Sequence, residues 1–272
     1  ESECFEQKYV EFIQEFLYEK KYIFNMYYCE YLNIYNNVNI FKKTLDYIEF
    51  DEEVLLDENY RQKKAIVDFS NEFCKNANKY IKSLRNNIKR EIYKPSKSIM
   101  KDGIMAQIVK VEDLEDQISS ILWEIKYLLN NKGLNYSDIA IVFPYNKKRL
   151  KNGKTIYFQY LLRKALDDVS IPYIMGDENL TKHAKRSGIT ISNLYFIKNL
   201  EFKAVVFCEL EMLYNQTISE NDQDYQVNDF VGDLNKIYMV MNRASEYLTI
   251  TTTFNENSSE LIKIIVDSIN KE

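Results

Sequence analysis

Glycine and proline are scarce, 6 and 3 residues in a chain of 272. So few breakers exclude a loop-rich or collagen-like chain and imply long elements joined by few loops. The 4 cysteines, Cys4, Cys29, Cys74 and Cys208, show no CxxC spacing. That scatter argues against a structural zinc site or a disulfide frame and suits a reduced, cytoplasmic setting. No apolar run reaches the roughly 18 residues a membrane span needs, and no signal peptide opens the chain, so no membrane partner is expected. The single histidine, His183, sits in a basic loop, and a lone exposed imidazole there reads as a bystander rather than a catalyst.

What is present begins with a composition of 46% hydrophobic and 28% charged residues, enough for a sizeable core in a soluble chain. The 22 tyrosines, alongside plentiful Lys, Asn and Ile, reflect codon bias in an AT-rich genome as much as a stacking surface. The net charge of -5 argues mildly against a nucleic-acid protein, but the average hides blocks. Residues 75–101 carry nine Lys or Arg and one acid, Glu91, and residues 144–164 carry seven Lys or Arg and no acid. Each block alone reads as a solvated helix face; two on one surface would track a phosphate backbone.

Along the chain, helices are expected over Tyr9–Glu19 and Ile40–Tyr47, with strands at Tyr22–Cys29 and Glu53–Leu56. A long helix follows over Gln62–Ile81, with Ile66, Phe69 and Phe73 facing inward. Beyond the break at Pro95 the pattern becomes regular. Strands are expected at Gly103–Val111, Asp138–Phe143, Gly188–Asn193, Ala204–Leu210 and Tyr247–Thr253. Helices at Glu112–Leu129 and Ile156–Val169, one running into Arg243 and one at the C-terminus separate or follow them. This alternation predicts a parallel, doubly wound α/β sheet, with "AVVFC" as a buried central strand. Ligands in such sheets gather at the carboxyl ends of the strands. Residues 215–228 read as a polar, acidic surface loop. "ESECFEQ" reads like the middle of a domain, so the sequence is expected to be a fragment.

"NGKT" (Asn152–Thr155) mimics the end of a phosphate-binding P-loop but has Lys148 where the motif needs its first glycine, so no phosphate cradle is expected here. Two other stretches are more informative. "ISNLYFIKNLEFKAVVF" (Ile191–Phe207) lodges Lys198 and Glu201 between two core strands, where capping and pairing alone would explain them. "KIYMVMNRASEYLTI" (Lys236–Ile250) runs a helix into a strand, and core packing explains its apolar positions but not Arg243.

Taken together these stretches resemble the UvrD/Rep-like superfamily 1 helicases. "ISNLYFIKNLEF" is similar to their motif V and "LNKIYMVMNRASEYLTI" to motif VI. "LLDENYRQKKAIVDFSNEF" (Leu55–Phe73) is similar to motif IV, an Asn-Tyr-Arg-Ser run opening a helix. "LNYSDIAIVFPYNKKR" and "LLRKALDDVSIPYIMGD" resemble the family's intervening strand and its helix-to-Ile-Pro-Tyr step. All stand in the family's order from about residue 50 onward.

The resemblance implies a RecA-like parallel sheet flanked by helices, without its own P-loop, over residues 51–272. It also implies a partial α/β tail of the first RecA-like domain over 1–50. ATP with Mg²⁺ would bind between the halves, in a site incomplete in this chain. Arg61 would reach the γ-phosphate and Arg243 would act as the arginine finger. Glu201 would bond the ribose, and Tyr60 would join the nucleotide-contacting set. Asn193, Tyr195 and Lys198 would meet the backbone of single-stranded DNA; apart from the resemblance, Lys147 and Lys148 read as a basic patch that would add backbone contacts. The partner would be the N-terminal helicase half or a partner subunit. Only Met175–Gly188 stands where Rep-type members insert a subdomain, which implies a compact member.

Departures from the family pattern are Tyr195 for histidine, Asn199 for glycine, Asn242 for threonine and Gln62 for serine. At the N-terminus, Glu1 would be the water-activating glutamate of motif II, with Glu3 and Cys4 replacing Gln and Asp. Cys29 and Leu32 would replace the aspartate and glutamine of motif III. This erosion keeps open a catalytically degenerate, DNA-binding or scaffolding subunit. An unrelated α/β binding domain is a further alternative, and Arg61 and Arg243 on different faces would favour it. On either helicase reading the chain by itself is not expected to hydrolyse ATP.

Overall fold

The computed structural model describes residues 11–12, 15–16, 52, 54–84, 93–146, 148–149, 155–176, 187–214, 223–255 and 258–269. Within the helix expected over Tyr9–Glu19, residues 11–12 and 15–16 are helical. The strand expected at Tyr22–Cys29, the helix expected at Ile40–Tyr47, and Glu1, Glu3, Cys4, Cys29, Leu32, Lys147 and His183 lie outside the described residues.

Six strands form one parallel sheet: β1 (Gln107–Lys110), β2 (Ile139–Phe143), β3 (Tyr173–Gly176), β4 (Ile189–Asn193), β5 (Phe202–Phe207) and β6 (Ala244–Thr252). Their order is β1-β6-β5-β2-β4-β3, with every pairing parallel. The expected parallel sheet flanked by helices is therefore present. Alternation along the central strands divides the core into two layers. Ala140 and Val142 of β2, with Val205 and Phe207 of β5, face α1 (Lys64–Leu84), α5 (Gln223–Met241) and α6 (Glu260–Asp267). Ile139, Ile141 and Phe143, with Ala204 and Val206, face α2 (Leu114–Lys132) and α3 (Phe158–Asp168). A short helix, α4 (Glu211–Tyr214), follows β5.

The helices obey their sequence signals. α1 buries Ile66, Phe69, Phe73, Ala77 and Ile81 along one stripe. α2 starts where the Asp113 carboxylate accepts the Asp116 N–H. It ends at Gly133, whose φ of 66° is the left-handed cap a side chain would oppose.

Several boundaries differ from the expectations. Residues 54–56 form no strand and lie exposed; the pairing comes just later, as a two-residue parallel contact of Glu58–Asn59 with Lys97–Ser98. Residues 223–228 are not loop but the first turns of α5. The Ile-Pro-Tyr step carries a whole edge strand, β3, paired through Tyr173 to Gly176 with Ile189 to Ser192.

Candidate functional site

The stretch before α1 is held by its own side chains. The Asn59 Oδ1 accepts the backbone N–H groups of Arg61 (3.0 Å) and Gln62 (2.9 Å), the local turn that favours asparagine. Its Nδ2 donates to Gln62 Oε1 at 2.8 Å. Gln62 is fully buried and donates from Nε2 to the carbonyl of Ala244 at 2.8 Å. The next N–H, that of Lys63, donates to the carbonyl of Ser245 at 2.9 Å. The turn is thus bound to the start of β6, about 180 positions away in sequence. Ser98 Oγ donates to the Gln62 carbonyl at 2.9 Å and braces it from the other side.

This clamp delivers Arg61 to the junction of α5 with β6. Its Nη1 meets Glu201 Oε1 at 2.7 Å, and its Nη2 donates to the carbonyl of Asn242 at 2.7 Å. The pair is half-exposed, with side-chain exposures of 35% for Arg61 and 45% for Glu201. The Arg61 Nε is buried without a hydrogen-bond partner. Tyr60 stands beside it with 66% of its surface exposed. Its hydroxyl donates to Glu58 Oε2, and that carboxylate raises the phenol's pKa.

Arg243 is adjacent but turned inward, 7% exposed. Its Nε donates to the carbonyl of Met239 at 3.2 Å and its Nη1 to the carbonyl of Lys198. A helix leaves its last carbonyls unpaired, and a cation there satisfies both hydrogen bond and dipole. Arg243 therefore closes α5 and ties it to the turn that precedes β5. Asn242 performs a similar service, donating from Nδ2 to the Tyr238 carbonyl at 2.8 Å. Arg61 and Arg243 share one junction rather than opposite faces.

Arg61, Glu201, Asn242 and Arg243 sit at the amino ends of β5 and β6, since Glu201 precedes Phe202 and Arg243 precedes Ala244. The sequence reading placed ligands at the carboxyl ends, so this cluster lies on the opposite edge. The crossing from β4 to β5 explains it: residues 194–201 return from the carboxyl end of one strand to the amino end of the next.

The other expected residues divide. Asn193 and Tyr195 do lie at the carboxyl end of β4. The Asn193 Oδ1 accepts the N–H of Tyr195 at 3.0 Å, and its Nδ2 donates to Asn146 Oδ1 at 3.3 Å. Lys198 is 7% exposed, and its carbonyl is the group that receives Arg243. Lys148 pairs through its backbone with Ile156 in a short antiparallel contact.

Three residues not foreseen from the sequence complete this edge. Lys236 Nζ and Asp233 Oδ1 meet at 2.7 Å with side chains 4% and 3% exposed, and Tyr145 OH lies 3.4 Å from the same Nζ. The Tyr145 and Tyr195 rings are 6.4 Å apart. Burial pushes the Tyr145 hydroxyl up to about 12. Burial alone would lower the Lys236 pKa, but the Asp233 carboxylate reverses that and leaves it raised. The available signal was Asp233 and Lys236, opposite charges one turn apart on the same helix.

Residues 54–179 match the family model of the UvrD-like helicase C-terminal domain. That stretch contains Arg61, whereas Glu201 and Arg243 lie outside it. Among solved structures, the chain is similar to the C-terminal domain of a possible DNA helicase from Lactobacillus plantarum WCFS1. The similarity is at 16% identity with a TM-score of 0.45, covering 76% of this chain and 94% of that one. No curated protein matches the chain.

Proposed function

From the match of residues 54–179 to the UvrD-like helicase C-terminal domain we propose that the chain is the second RecA-like half of an ATP-dependent DNA helicase or translocase. The nucleotide would lie between this half and a P-loop-bearing half, supplied by an N-terminal segment or a partner subunit. One observation carries the reading: Arg61 bonds Glu201 and the Asn242 carbonyl, so three stretches separated by 140 and 181 positions converge on one half-exposed guanidinium.

The residues present fit a polyphosphate. Arg61 keeps a buried Nε without a partner, and its pairing with Glu201 is exposed enough to be worth about 0–1 kcal/mol. A phosphate group, more highly charged and able to take two N–H donors at once, competes with that carboxylate. The exposed Tyr60 ring offers an apolar face to a base, and Glu201, once released, accepts hydrogen bonds from ribose hydroxyls. Mg²⁺, when bound with the nucleotide, would neutralise phosphate charge in phosphoryl transfer. Arg243 would set the height of Arg61 through the Asn242 carbonyl and reach the γ-phosphate once its carbonyl partners are exchanged. Asn193 and Tyr195 would meet the DNA strand.

The burial of Arg243 favours a second reading, a catalytically degenerate subunit in which this arginine only closes α5. The test is ATP turnover by the assembled protein, this chain together with its P-loop half. Under the motor reading Arg61→Ala and Arg243→Ala each lower kcat about 10³-fold or more while nucleotide binding persists. DNA binding with no turnover above background in the intact assembly would decide for the scaffold. DNA-stimulated turnover by this chain alone, abolished by Arg243→Ala, would overturn the proposal of a shared site.

A further inference from the structure

Residues 144–164 hold seven of the chain's cations and no acid, in a chain of net charge -5, yet the function proposed above uses none of them. The structure shows where the block leads. β2 ends at Phe143, Asn146 touches Asn193, and a short antiparallel contact (Lys148–Arg149 with Thr155–Ile156) passes the chain to Tyr157 and α3. Because α3 follows a strand that ends at the carboxyl edge, its first turn lies at the edge that holds Asn193 and Tyr195. Phe158, Leu162 and Leu166 bury the inner stripe of α3. The outer stripe presents Tyr157 at 44% and Tyr160 at 64% exposure, followed by exposed Arg163 and Lys164. Arg163 lies over the Tyr173 ring, 5.7 Å from its centroid, and donates from Nε to the Tyr173 hydroxyl at 3.3 Å, which fixes the far end of the stripe to β3. Asp167 and Asp168 close it with negative charge.

We propose that the outer face of α3 is a second contact for single-stranded DNA, continuing the path from the Asn193–Tyr195 turn, with bases stacking on Tyr160 and Tyr157 and Lys164 meeting phosphate. The inference rests on the proposed DNA-binding function and adds a site to it. Exposed aromatic rings interleaved with cations are what a single strand needs. The occupant is set by charge: the sequence block 144–164 that leads into α3, seven cations and no acid on an acidic protein, selects a polyanion. The order along the strip, aromatics nearest the Asn193 turn and acids at the far end, gives the path a limit.

The test is fluorescence anisotropy of the full chain with labelled oligothymidylates of about 6 and about 16 nucleotides, lengths that bracket a short and an extended single-strand site. Tyr160→Ala should weaken the long oligonucleotide about ten-fold and leave the short one within two-fold, while Tyr160→Phe restores it because stacking needs the ring and not the hydroxyl. Lys164→Ala should flatten the logarithmic salt dependence for the long oligonucleotide by about 0.7, one phosphate contact. Asn193→Ala should weaken both lengths. Loss with Asn193→Ala and no loss with Tyr160→Ala overturns the α3 site and leaves the DNA-binding function standing. No binding of either length by the unsubstituted chain overturns both. Unchanged thermal midpoints for the α3 variants, whose side chains face water, separate lost contacts from lost fold.

Discussion

Replacing Gln62 by alanine tests how the Arg61 cluster is held. Gln62 is fully buried and bridges two segments, accepting from Asn59 Nδ2 and donating to the Ala244 carbonyl, both at 2.8 Å. Losing these two bonds costs about 0.5–1.5 kcal/mol each, and the carbonyl left facing a void adds a further part of its desolvation penalty. The expected loss is therefore about 2–4 kcal/mol. For a domain of this size that lowers the melting temperature by roughly 5–12 °C. Urea unfolding should show a lower midpoint with an unchanged slope, since the same surface is exposed. The kcat of the assembled protein should fall alongside, because Arg61 is the neighbouring residue on the same turn. A stability loss below about 0.5 kcal/mol at constant slope would refute the view that Gln62 is the clamp.

Two further outcomes follow from buried charge. Asp233→Ala leaves the Lys236 ammonium without its carboxylate at a site 4% exposed, so a loss of about 3–5 kcal/mol is expected in chemical denaturation. The paired replacement Asp233→Leu with Lys236→Met should recover most of it, and failure to recover would show that the ion pair itself contributes net stability. Glu124 is buried between α2 and β6, accepts the Thr249 hydroxyl at 2.9 Å, and has its pKa raised by that burial. A raised folded-state value means the ionised form is the penalised one, so its cost is absent in acid and grows as pH rises through the folded pKa. Glu124→Gln should therefore raise the melting temperature at neutral pH more than at acid pH; an advantage confined to acid would contradict this.

Much of the fold was legible because burial and periodicity agree. β2 and the Ala204–Phe207 part of β5 are apolar and buried throughout, and α1 repeats its buried residues at helical spacing. The arginine junction was legible as chemistry, since Arg243 fits no packing stripe. Its placement was not. The carboxyl-end rule concerns loops that leave strands, whereas this junction gathers residues that enter them: Glu201 precedes β5, and Asn242 and Arg243 precede β6. β3 was missed because Ile-Pro-Tyr looks like a bend, although its hydrogen bonds come from β4 and are invisible in a short sequence window. The start of α5 was read as loop because polar composition outweighed periodicity there. Gln62, read as a departure from serine, is the residue that reaches across to β6.

The strand order has a consequence for how the molecule is made. Among the described residues β1 has one neighbour in the sheet, β6, which comes about 135 residues later along the chain. During synthesis β2, β4, β3 and β5 have one another, but β1 must wait with its hydrogen-bonding groups in water until the last strand arrives. The same event brings Ala244 to Gln62 and Asn242 to Arg61. The guanidinium site is thus assembled in the final step of sheet closure, and a nascent chain that ends before β6 has no such site to offer a nucleotide.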